Sequence, residues 1–178
     1  MSHFVFPDNT VLCNFAAIKK LSLLRQIMSG RGRWTDAVAR EAQRSSATWP
    51  DLTSLSFDGW LGLPIEVTDR QGQQAVERIR RAVFGGTSSR ATQHLGEAQT
   101  CYLIKNSAEF AGSWWVSDDR EALRYARSQK LETYETLDLV RIAVKSREVT
   151  AQQGFELLHA MQDEGRHLRL PGGPEDLT

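Results

Sequence analysis

The stretch Gly112-Ser113-Trp114-Trp115-Val116-Ser117-Asp118-Asp119-Arg120-Glu121-Ala122 constrains the fold most tightly. An apolar, aromatic run stops at two carboxylates, and helical spacing begins directly after them. In an open α/β sheet such a junction is the carboxyl end of a strand, where ligands and catalytic groups collect. Two adjacent aspartates there can hold a divalent cation, or they can simply start a helix. Both readings stand on this stretch alone.

The alternation continues along most of the chain. It predicts an α/β fold with a mainly parallel central sheet of four to five strands flanked by helices on both faces. His3 to Pro7 reads as a short strand ending in Asp8-Asn9-Thr10. Apolar residues from Val11 to Met28 recur at threes and fours, predicting two short helices that stop at Gly30. Arg31 to Trp34 reads as a second strand, and Thr35 as the N-cap of a helix through Glu41 to about Arg44. Residues 45–63, with Pro50, Gly59 and Gly62, form an irregular excursion. Pro64 to Val67 reads as a strand, and Thr68 or Asp69 as the cap of the following helix. After the Gly85 to Ser89 loop, a helix is expected from about Thr92 to Asn106, carrying Glu97. Beyond the Trp114 strand come a helix through Leu123 and Ala126 and a short strand between Leu131 and Thr136. Two last helices cover about Thr136 to Lys145 and Thr150 to Asp163, the second with capping-box spacing at Thr150 and Gln153. On this reading residues 1–165 are one domain and 166–178 a loose C-terminal tail.

Composition narrows the function classes. The formal net charge is zero, with 22 basic and 22 acidic residues, so any polyanion contact must rest on local patches. Cys13 and Cys101 are the only cysteines and form no CxxC pair, which fits a reducing compartment. The opening strand-like run, broken at Pro7, does not read as a signal peptide, and no apolar run approaches the roughly 20 residues of a membrane span. A soluble cytoplasmic protein is expected. The four histidines lack metal-ligand spacing, and Gly85-Gly86-Thr87-Ser88-Ser89 lacks the lysine of a phosphate-binding loop.

Placement singles out the acids. Asp8 follows the first strand, Asp118 and Asp119 follow a later one, and Glu41 and Glu97 sit in helices among apolar or small neighbours. If the strands are parallel neighbours, these carboxylates share one sheet edge. Crowded carboxylates raise one another's pKa values, and a hard divalent ion resolves the conflict. Mg²⁺ (or Mn²⁺) binds carboxylate and water oxygens and supports in-line phosphodiester hydrolysis. Each acid also has an ordinary explanation. Asp118 with Glu121 has capping-box spacing, Asp8 suits a turn, and Glu41 and Glu97 suit solvated helix faces. Arg120 adjoins the acidic pair and is suited to a scissile phosphate.

The order of these motifs resembles the PIN-domain family, the Mg²⁺-dependent ribonucleases that include VapC-type toxins. Val5-Phe6-Pro7-Asp8-Asn9-Thr10-Val11-Leu12 and Asn14-Phe15 look like its opening strand and first acid. Thr35 to Glu41 resembles the segment with its second acid, Gly96-Glu97-Ala98 a subgroup's third, and Trp115 to Ala122 its strand-end acid. The resemblance spans about Phe4 to Met161. It implies a metal site of Asp8, Glu41, Glu97 and Asp119, with Asp118 as an additional or substitute ligand and Thr10 or Asn9 assisting. It further implies an RNA substrate, a cognate antitoxin protein and a homodimer. Two other readings remain: a non-catalytic PIN-like RNA- or protein-binding module, and a phosphatase or receiver domain. The last is disfavoured, because the second Asp of a DxDx[TV] pattern is missing after Asp8.

Overall fold

Three short parallel strands form the sheet of the computed structural model, which describes residues 3–178. They are β1 (Val5–Pro7), β2 (Trp114–Val116) and β3 (Glu132–Tyr134), in that spatial order. Val5 faces Trp114 in the register and Pro7 faces Val116, while Trp114 faces Glu132. Alternation splits the apolar residues between two cores. Val5 and Val116 belong to one, Phe6 and Trp115 to the other.

Nine α-helices surround the sheet among the described residues. The first core is built from α1 (Asn9–Ala17), α2 (Leu21–Met28), α8 (Thr136–Lys145) and α9 (Ala151–Asp163), joined by Val38 and Ala42 of α3 (Asp36–Ser45). The second is built from α5 (Arg70–Ala82), α6 (Leu95–Asn106) and α7 (Arg120–Ser128). The α/β class and the helices on both faces are as expected.

The sheet is narrower than the expected four to five strands. Arg31 to Trp34 and Pro64 to Val67 contribute only single parallel bridges, Val5 with Gly32 and Thr35 with Ile65. A helix cap immediately downstream limits each segment. Thr35 is already the N-cap of α3, its side chain accepting from the Val38 N–H, and Asp69 caps α5 through the Gly72 N–H. The chain turns into a helix before a longer ladder can form.

Three further differences bear on the site. α6 starts at Leu95, later than expected, because His94 adopts a left-handed conformation at φ 59°. The 45–63 excursion is ordered as a 3-10 turn (Pro50–Ser54) and a short α4 (Leu55–Asp58), anchored by buried Leu52, Leu55 and Leu61. The C-terminus is not loose throughout. Pro174–Leu177 forms a 3-10 turn whose Leu177 is fully buried, and the Asp176 carbonyl accepts from Arg141 Nε at 3.0 Å. No helix among the described residues is long and apolar enough to cross a membrane.

Candidate active site

Parallel pairing of β1 with β2 places Asp8 beside Ser117, residues 109 apart in the chain. Asp8 ends β1 and caps α1, its Oδ1 accepting from the Asn9 N–H at 2.7 Å. Its Oδ2 accepts from Thr10 Oγ1 at 3.0 Å and from Ser117 Oγ at 3.1 Å. Only 5% of Asp8 is exposed. Burial first, and the charge of Glu97 second, raise its pKa to about 7 against the pull of those three hydrogen bonds.

Glu41 arrives from α3 and Glu97 from the first turn of α6. The two helices approach closely because α6 has glycine at the contact. A Cβ on Gly96 would sit 3.0 Å from Val38 Cγ2 and 3.4 Å from both carboxylate oxygens of Glu41. Burial, then the charges of Asp8 and Glu97, push Glu41 up to about 8, while Arg44 and the Gly96 N–H pull it down. Glu97 Oε1 lies 3.2 Å from His94 Nδ1. Glu41 and Glu97 open onto a cleft of about 550 Å³, whose lining also includes Asn9, Arg44, Arg90 and His94. Asp8, Glu41 and Glu97 therefore feel one another's fields.

The sequence leaves open which of the two aspartates caps the helix, although Asp118 has the capping-box spacing, and their side chains occupy different surroundings. Asp119 is the N-cap of α7, its Oδ1 accepting from the Glu121 and Ala122 N–H groups at 2.8 and 3.0 Å. Its own N–H donates to Ser117 Oγ at 3.2 Å, so that hydroxyl links it to Asp8. Asp118, half-buried, belongs to a separate network. Its Oδ1 accepts from the Thr136 N–H at 3.0 Å, and its Oδ2 from Thr136 Oγ1 at 2.6 Å and Asn14 Nδ2 at 2.8 Å. Burial raises its pKa despite these bonds. Arg166 completes the network by donating from Nε to Asn14 Oδ1 at 2.9 Å. Arg120 is exposed and lines a second cleft of about 490 Å³ with Asp118, Arg166 and Arg169, apart from the first cleft.

Sequence reasoning misses Ser117, Asn14, Thr136 and Arg166. The one available signal was Asn14, a polar residue in the apolar stretch Val11 to Phe15, where burial demands a partner.

Among the described residues, no three His, Cys, Asp or Glu side chains converge closely enough to enclose a metal ion. The donor chemistry of Asp8, Glu41 and Glu97 nevertheless fits a hard divalent cation. Burial and neighbouring negative charge disfavour the ionised forms of Asp8 and Glu41, a penalty a cation would relieve, and Mg²⁺ is usually bound by one or two carboxylates with several waters retained.

A family model described as a PIN domain matches residues 4–170. No curated protein and no solved structure matches the chain significantly.

Proposed function

The chain belongs to the PIN-domain family, whose members are in general nucleases using divalent metals, and we propose that it is a Mg²⁺- or Mn²⁺-dependent endoribonuclease. The observation that carries this reading is the closeness of three acids from three different elements: Glu41 and Glu97 line one cleft, and the buried Asp8 lies near enough to feel Glu97 and to act on Glu41. These three would hold the cation, with Asp119 as the fourth acid. Both cap bonds of Asp119 fall on Oδ1, leaving Oδ2 available, whereas both oxygens of Asp118 are engaged by Thr136 and Asn14. That makes Asp118 the weaker choice of ligand.

A bound divalent cation supplies the positive charge that lets the carboxylates ionise together, and the Lewis acidity for phosphodiester hydrolysis. The chain's own groups do the rest. Thr10 and Ser117 orient the Asp8 carboxylate. Glu41, with a pKa of about 8, is suited to proton transfer near neutral pH. Arg120 lies beyond Asp119 and is offered as a contact for the RNA backbone.

We assign the protein to the toxin half of a toxin–antitoxin pair, acting in the cytoplasm with a cognate antitoxin protein and as a homodimer. That assignment rests on the resemblance to VapC-type toxins. The decisive assay is metal-dependent cleavage of defined RNAs. Asp8→Asn and Asp119→Asn should each lower cleavage by about a hundredfold or more and relieve growth inhibition. Intact cleavage in both variants would defeat the four-acid mechanism.

One observation favours the alternative of a non-catalytic binding module: both Asp8 oxygens are already satisfied by Asn9, Thr10 and Ser117. Calorimetric titration with Mn²⁺ separates the two readings. A nuclease takes up the ion with loss of that heat in Asp8→Asn, and a pure binding module need not take it up at all.

A further inference from the structure

Arg80 of α5 lies outside the acidic trio, yet its guanidinium fixes one wall of the cleft lined by Glu41 and Glu97. The residue is 1% exposed. Its Nε and Nη2 fork onto Glu77, to Oε2 at 2.7 Å and Oε1 at 2.8 Å. Its Nη1 donates to three backbone carbonyls of the following segment: Thr87 at 3.2 Å, Arg90 at 3.1 Å and Gln93 at 3.4 Å. A buried guanidinium is tolerated only when its N–H groups find acceptors, so the position of those carbonyls and the burial of Arg80 specify each other.

Gly86 lets the chain pass this close. Its N–H donates to the Arg80 carbonyl at 3.0 Å, and a Cβ there would stand 2.5 Å from Arg80 Nη1. The segment wound around Arg80 ends at His94, whose left-handed turn brings its ring to Glu97. Phe84 packs at that end, with ring centroids 6.0 Å from His94 and 5.6 Å from Tyr125. Residues 87–94 thereby present Arg90 to the cleft that holds Glu41 and Glu97. Arg90 is exposed and has no ion-pair partner among the described residues. The carboxylates of Glu41 and Glu97 in this cleft repel a polyanion unless cations on its rim offset them, and Arg90 joins Arg44 there.

We propose that Arg80, gripped by Glu77, is a positioning residue that holds residues 87–94 as the wall of the acidic cleft, on which Arg90 binds a phosphate of the polynucleotide strand. This rests on the nuclease reading and names the substrate contact it needs. The guanidinium of Arg90 supplies a planar fork matched to phosphate oxygens, while Arg80 never touches the strand.

The test compares Arg80→Lys, Gly86→Ala, Glu77→Gln and Arg90→Ala with the wild-type chain. Three readouts are taken: amide hydrogen exchange, affinity for a fluorescent single-stranded RNA in chelator, and kcat and KM with Mn²⁺. Arg80→Lys and Gly86→Ala reach the wall from opposite sides, and each should speed exchange within 87–94 by about tenfold while the rest of the chain is unchanged. The same two variants should weaken RNA binding roughly fivefold to tenfold, raising KM with kcat nearly constant. Glu77→Gln should fall between these and the wild type. Arg90→Ala should match their loss of affinity with no change in exchange.

Unchanged exchange in both wall variants overturns the proposal, as does faster exchange with undiminished RNA affinity. Binding that matches these expectations in a wild-type chain that never cleaves defeats the nuclease reading and leaves the wall intact. Cleavage with an unchanged KM in the wall variants does the reverse.

Discussion

At Asp8 and Glu41 the fold raises the carboxyl pKa values to about 7 and about 8, chiefly by burial. Unfolded, the same groups ionise near pH 4. Between those limits the unfolded chain has shed protons that the folded chain retains, so stability is fully present below about pH 4 and declines as pH rises to about 8. Thermal melts in chelator should trace that decline. Asp8→Asn and Glu41→Gln should each flatten it and raise the melting temperature at pH 8, while cleavage is lost. Added Mn²⁺ should raise the wild-type melting temperature by an amount that grows across the same window, since only the ionised carboxylate is a ligand. A melting temperature independent of pH would contradict the burial of these acids. Asp8, Glu41 and Glu97 were legible in the sequence because each sits at a strand end or among apolar helix neighbours. The roles of Asp118 and Asp119 were not. Asp118 has the capping-box spacing yet Asp119 makes the cap, and the choice is made by Asn14 and Thr136, which lie 104 and 18 residues away from Asp118.

The contact between α3 and α6 is where element geometry meets the chemistry. Gly96→Ala inserts a methyl group against Val38 and the Glu41 carboxylate. Its expected effect is a modest fall in stability, about 1 kcal/mol, with a larger loss of cleavage as Glu41 is displaced from the Gly96 N–H. Denaturant melts and single-turnover rates on one preparation check both parts, and equal losses would remove the special role given to this contact. Most helices could be placed from apolar spacing and caps, because Thr35, Asp69 and Thr150 act through side-chain bonds within their own turn. The strand segments at Arg31 to Trp34 and Pro64 to Val67 could not be judged in the same way. Their ladders are cut to one residue pair each by the helix caps downstream, and pairing length depends on partners distant in the chain.

Across the whole molecule, two apolar cores share one thin sheet, and the last turn closes the larger of them. Leu177 rests against Gly154 of α9, where a Cβ would meet Leu177 Cδ1 at 3.1 Å and Val140 Cγ1 at 3.0 Å. Leu177→Ala should cost about 2 to 5 kcal/mol in denaturant unfolding, and a value near zero would show that the C-terminal turn is dispensable. Its docking was illegible because Pro171-Gly172-Gly173-Pro174 suits a free tail as well as a tight turn. The pairing of β1 with β2 has a kinetic consequence. Asp8 cannot meet Ser117 until the chain closes a loop of 109 residues, and non-local parallel pairing is intrinsically slow. Refolding followed by circular dichroism should therefore show the local helices gained before the contact between Asp8 and Ser117 is complete.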